Sequence, residues 1–146
     1  MTRQLGRTAL VFYVPILVLM LFPTWPRAVF ISELGSNYDI KVVRSPWIDP
    51  LLFGSFHNPF AIAAFVLTLL STIILIVTMK RERHTPLIVP IMTLAAAALG
   101  FHALMQEAPN DDVVLMLVGL VIAAGLTYAS WLVEKAKLEE SVEVAE

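Results

Sequence analysis

Three histidines and the acids near them are the side chains of this sequence best equipped for chemistry. His102 and Gln106, with Glu107 nearby, share a helical face by i, i+4 spacing. Together with His57 and Asp111 or Asp112 they would make a metal or proton-sensing site at one end of a helical bundle, since imidazole nitrogen and carboxylate oxygen both ligate metals and imidazole titrates near neutrality. The spacing argues otherwise. Metal signatures place their ligands at tight, recurring intervals, whereas these residues are isolated and sit near helix ends, where polar side chains ordinarily lie. No metal or other cofactor is therefore expected. The chain also lacks a Gly-rich phosphate loop, a Ser/His/Asp arrangement and a His-Glu-x-x-His pair. With no cysteine it has neither a thiol nucleophile nor a Cys-based metal site, and an enzyme is not expected.

The elements that must position these residues are apolar helices. Thr8–Phe22, Phe60–Met79, Pro86–Met105 and Val113–Val133 contain no Asp, Glu, Lys or Arg over 15, 20, 20 and 21 residues. About 20 apolar residues at a rise of 1.5 Å cross the roughly 30 Å hydrocarbon layer, so the runs read as four membrane spans. A hydrophobic fraction of 58%, a charged fraction of 15% and a mean hydropathy of +0.79 separate the chain from ordinary soluble domains. The fold class expected is an all-α membrane protein, a single domain over residues 1–146, with helices at about 8–25, 59–79, 86–105 and 113–133. A long outer loop occupies 23–57 and a cytoplasmic tail 134–146. The basic start Met1–Arg7 followed by Thr8–Phe22 has the form of a signal peptide, but Pro23-Thr24-Trp25-Pro26 offers no small-residue cleavage site, so the run reads as an uncleaved anchor.

Lys and Arg set the orientation. With the N-terminus in the cytoplasm, Arg3, Arg7, Lys80, Arg81, Arg83, Lys135 and Lys137 lie inside, and Arg27, Lys41 and Arg44 outside. Both termini are then cytoplasmic, in a multi-pass protein of the cytoplasmic membrane. Tyr128 and Trp131 fall at the inner boundary, Trp25 and Trp47 at the outer one, as aromatic belts require. Asn58-Pro59 and Thr85-Pro86 read as N-cap and first residue of the second and third helices. The tail pairs Lys135 with Glu139 at i, i+4 and is expected to continue the fourth helix for a turn or two before fraying.

Inside the spans there is no carboxylate to couple a proton. Thr68, Ser71, Thr72, Thr78, Thr93 and Thr127 can return their hydroxyls to their own helix backbone, and Tyr13 and Gln106 are the larger polar groups. Small multidrug exporters also have four short helices, but they carry a membrane carboxylate in the first, which Thr8–Phe22 lacks. Helix–helix contact is expected through small residues: Ala96 and Gly100 on the third helix against the stripe Gly119, Ala123 and Thr127 on the fourth. The third helix has only eight Leu, Ile, Val or Phe and two prolines, so it would lean on that neighbour.

The outer loop divides in two. Tyr38–Val42 alternates like a short strand after the turn residues Gly35-Ser36-Asn37. Pro46–Phe56 is aromatic and apolar, and its Trp47, Phe53 and Phe56 would cap the bundle mouth or offer a docking surface. From Trp47 through Asn58-Pro59-Phe60 into the second helix, with Thr68 following, the chain resembles a group of small bacterial four-helix membrane proteins without an assigned activity. That resemblance implies the same four spans and carries over no functional residue. The function expected is a non-enzymatic accessory or interaction subunit, with an oligomeric channel or carrier lacking proton coupling as the alternative. Its partners would be the lipid bilayer and either another membrane protein or a second copy. A net charge of −2 gives no basic footprint, and no nucleic-acid partner is expected.

Overall fold

A backbone in hydrocarbon must satisfy its own hydrogen bonds, so long charge-free runs become helices. The computed structural model describes residues 2–22, 25–32, 38–45, 59–81, 83–106 and 111–143. Its elements are α1 (Thr2–Leu21), β1 (Trp25–Ser32), β2 (Tyr38–Ser45), α2 (Pro59–Lys80), α3 (Ile88–Gln106) and α4 (Asp111–Glu143). All four helices are long and apolar enough to cross a membrane. The helices form a four-cornered bundle in which α1 packs against α2 and α4, and α3 against the same two, leaving α1 diagonal to α3. α3, with few large aliphatic residues, packs on two neighbours, α2 as well as α4.

Several boundaries differ from the sequence expectation. α1 stops at Leu21, where the Phe22 N–H closes a tight turn onto the Leu19 carbonyl at 3.2 Å just before Pro23. α4 runs ten residues beyond Val133, to Glu143, because the tail is rich in helix formers and Lys135 lies 3.7 Å from Glu139 as its spacing predicts. α3 begins at Ile88, two residues later than Thr85-Pro86 suggested, after a turn in which the Val89 N–H donates to the Pro86 carbonyl at 3.1 Å.

The connection between α1 and α2 is not all loop. β1 and β2 pair antiparallel from Trp25↔Ser45 to Ser32↔Tyr38, so the strand expected at Tyr38–Val42 is longer and has a partner. β1 was not expected. Its Pro26 would break a central strand, but both strands of a two-stranded ladder are edges, where proline is tolerated. Residues 46–58, with Trp47, Phe53, Phe56 and His57, lie outside the described residues, as does Glu107.

Burial is inverted relative to a water-soluble bundle. Val11, Ile91, Leu94, Met105 and Leu115 are exposed, while Thr68, Ser71, Thr93, Thr127 and Ser130 are buried. Lipid solvates aliphatic side chains as well as a protein core does, so the outward face loses nothing by being apolar.

Candidate functional site

The hydroxyls gather in one half of the bundle. Near the α1–α2 end the core is aliphatic and small: Met20, Ala61, Ala64, Ala103, Leu104 and Val113 are buried together. Toward the α2–α3 end it becomes polar, with Tyr13 at the centre, fully buried among Ala9, Leu75, Val89 and Ala123. From α1, Tyr13 reaches diagonally across the bundle to hydrogen-bond the Thr93 hydroxyl of α3. One phenol ties two diagonal helices.

Each threonine is held by its own helix. Thr93 Oγ1 donates to the Val89 carbonyl at 2.8 Å, Thr127 Oγ1 to the Ala123 and Ala124 carbonyls at 3.0 Å each, Thr68 Oγ1 to Ala64 at 2.7 Å and Thr72 Oγ1 to Thr68 at 2.8 Å. This back-bonding is what a hydroxyl in an apolar helix must find, and it fixes the rotamer that aims Thr93 at Tyr13. Ser71 differs: its buried Oγ has no hydrogen-bond partner among the described residues.

One helical turn beyond Thr127 the polar line continues. Ser130 Oγ lies 3.4 Å from Thr85 Oγ1 in the α2–α3 connection, and the Thr85 N–H donates to Glu134 Oε2 at 2.6 Å. Glu134 also approaches His84 Nδ1 at 3.7 Å. Its side chain is only 14% exposed, so this carboxylate clamps the connection to α4 more firmly than a surface ion pair would. Tyr13, Thr93, Thr127, Ser130, Thr85, Glu134 and His84 thus form a polar column from mid-bundle to one end.

The expected packing face is rearranged. Ala96, Gly100, Ala123 and Thr127 are buried, but Gly119 faces α1: a Cβ there would stand 2.9 Å from Ile16 Cδ1. Gly119 thus receives Ile16 of α1, while Ala123 shares a buried cluster with Tyr13 of α1 and Val89 of α3. Val121, Ala124, Gly125 and Tyr128 of α4 instead border a groove beside α3. An α4 wedged between two neighbours must offer a separate stripe to each, and its small residues serve both.

Of the expected outer polar cluster, His57 and Glu107 lie outside the described residues. His102 is exposed and its ring meets Phe60 edge-on, with centroids 4.6 Å apart. Among the described residues no three His, Cys, Asp or Glu come together as a metal site. The Tyr13 column and Glu134 escaped sequence reading because their partners are 80 and 49 residues away.

The bundle leaves two grooves on its surface. One, between α1 and α4, has a volume of about 470 Å³ and is bordered by Val11, Pro15, Leu19, Leu115, Val118 and Gly119. The other, between α3 and α4, has about 410 Å³. Comparison with protein-family models, with curated proteins and with solved structures finds no match to this chain.

Proposed function

We propose that this chain is a non-enzymatic accessory or interaction subunit of the cytoplasmic membrane, with both termini on the cytoplasmic side and the β1–β2 hairpin outside, and that it acts by binding another membrane protein. One observation carries this reading: the hydroxyls that could do chemistry face inward and bond to one another and to backbone, while the outward faces of the spans are aliphatic. A surface of that kind acts by contact. Orientation rests on the Lys and Arg count, and the α1/α4 groove, with Leu115 at 74% exposure on its rim, suits the ridge of a partner helix.

Photo-crosslinking residues placed at Leu115 and Val118 in native membranes should capture one protein of defined mass in stoichiometric yield, and the same probe at Ile76 on α2 should not. A second reading, an oligomeric channel or carrier, draws on the polar column and the unpartnered Ser71 hydroxyl. Adducts only between copies of the chain, with an ion conductance in reconstituted vesicles, would replace the first reading by the second.

A further inference from the structure

The α3/α4 groove has a floor, walls and a charged mouth. Its walls are Leu87 in the turn before α3 and Pro90 and Leu94 of α3, with Val121 and Tyr128 of α4, and its floor is Gly125, where an added Cβ would meet nothing within 4 Å. Gly125 is thus unlike Gly119, whose missing side chain is filled by Ile16; the space over Gly125 is left open by the bundle itself.

From Tyr128 of the lining, contacts continue along the same face of α4 to Trp131 and Lys135 at i+3 and i+7. Tyr128 stacks on Trp131 with centroids 5.7 Å apart and planes 23° from parallel, and Lys135 Nζ lies 5.6 Å from the Trp131 ring centroid. A line of apolar wall, aromatic pair and ammonium matches the order of groups met on leaving a bilayer: hydrocarbon, interfacial aromatics, phosphate. Depth agrees. Ten residues separate Gly125 from Lys135, about 15 Å along the helix, and one leaflet contributes about half of the 30 Å hydrocarbon layer. With Lys135 at headgroup level, the groove lies along the inner part of that leaflet.

We propose that this groove is a phospholipid site, holding one acyl chain over Gly125 with the lipid phosphate on the Lys135 ammonium. It rests on the membrane-spanning reading and is independent of whether a protein partner exists. A partner helix is a poorer occupant, because the groove leads to an interfacial aromatic pair and an ammonium. The cation at the mouth also has no task in binding an apolar helix. Lys135 is 56% exposed and its neighbour Glu139 lies 3.7 Å away and 70% exposed, so the ammonium can turn to a phosphate without breaking a buried pair.

The test is native mass spectrometry of the full chain in detergent, titrated with phosphatidylglycerol, with a diacylglycerol of the same chains and with inorganic phosphate. One phosphatidylglycerol should be retained per chain. Lys135→Gln should weaken its retention about five-fold while leaving diacylglycerol unchanged, and Glu139→Gln should strengthen it. Gly125→Leu, which fills the floor, should reduce retention of both lipids. Leu94→Trp fills the same space from the α3 wall and serves if the glycine variant does not fold. Unchanged lipid retention in the groove-filling variants, or inorganic phosphate competing on equal terms with the lipid, would overturn the proposal.

Discussion

The two ends of the bundle core are held by different physics. Toward α1–α2, Ala61, Ala64, Ala103, Leu104 and Met116 pack aliphatic surface on aliphatic surface. Toward α2–α3, Tyr13 bonds Thr93, Thr85 meets Ser130, Thr127 bonds its own backbone, and Glu134 fastens the connection. In water the first region would dominate, because burial of apolar surface drives folding there. In lipid an aliphatic side chain is as well solvated outside the bundle as inside, so the aliphatic half is held by close fit alone. The hydroxyl half supplies what fit cannot: a helix rotated or shifted by a residue loses named partners. Close fit sets how near the helices come, and the polar column sets their register.

The sharpest way to break this contrast is at the closest approach. Gly119→Leu drives a side chain into Ile16 and should cost about 1–3 kcal/mol, against under about 1.5 kcal/mol for the volume-conserving Leu120→Met one position away. Gly119→Ala should cost less, and Ile16→Val, which removes the Cδ1 atom that stands at 2.9 Å, should cancel its effect in a double-mutant cycle of unfolding in detergent. Additive single costs would show that the α1/α4 contact is not set by that atom.

Glu134→Ala removes a charge-assisted acceptor from the Thr85 N–H and should cost about 1.5–3 kcal/mol. Glu134→Gln, which keeps an acceptor oxygen, should recover most of that loss. Hydrogen exchange at the Thr85 amide reads the bond directly, and unaltered protection in the alanine variant would remove Glu134 from the column.

A smaller effect is expected at the crossing point. Tyr13→Phe leaves Thr93 and Thr127 bonded to their own backbones, so it should cost only about 0.6–1.5 kcal/mol. Combined with Thr93→Val, it should lose less than the sum of the single changes, and strict additivity would mean that the phenol does not tie α1 to α3.

The smallest change tests the exception. Ser71→Ala takes away a buried hydroxyl that makes no hydrogen bond among the described residues, and stability should stay level or rise slightly. A loss above about 1 kcal/mol would reveal a partner for that oxygen and lengthen the polar column onto α2.

What the sequence made legible was local. Charge-free runs located the four helices, threonine back-bonding followed from hydroxyls in apolar segments, and Lys135–Glu139 followed from i, i+4 spacing. The column was hidden because Tyr13 and Thr93 are single polar residues in different spans, and nothing in the periodicity of either helix ties one to the other. Gly119 shows the same limit. Its smallness announced a close approach, but which neighbour would make it depends on how α4 is rotated between α1 and α3, which no one-helix pattern encodes. β1 was masked by Pro26, whose tolerance follows only once the strand is known to lie at an edge.

The unequal reach of the four spans has a consequence for the lipid around them. The charge-free run of α1 covers Thr8–Phe22, about 22 Å, whereas those of α2, α3 and α4 cover about 30 Å, so the shortest belt lies on one side of the square. In a bilayer of even thickness the lipids touching α1 must compress or Arg7 must stretch outward to meet the headgroups, at fractions of a kcal/mol per ångström. The molecule would then sit in its membrane as a wedge, thinning the sheet along α1 and leaving it undisturbed along α3. Any neighbour with a short hydrophobic belt of its own would be drawn to that thinned margin before a single side chain touched, and the α1/α4 groove opens on it.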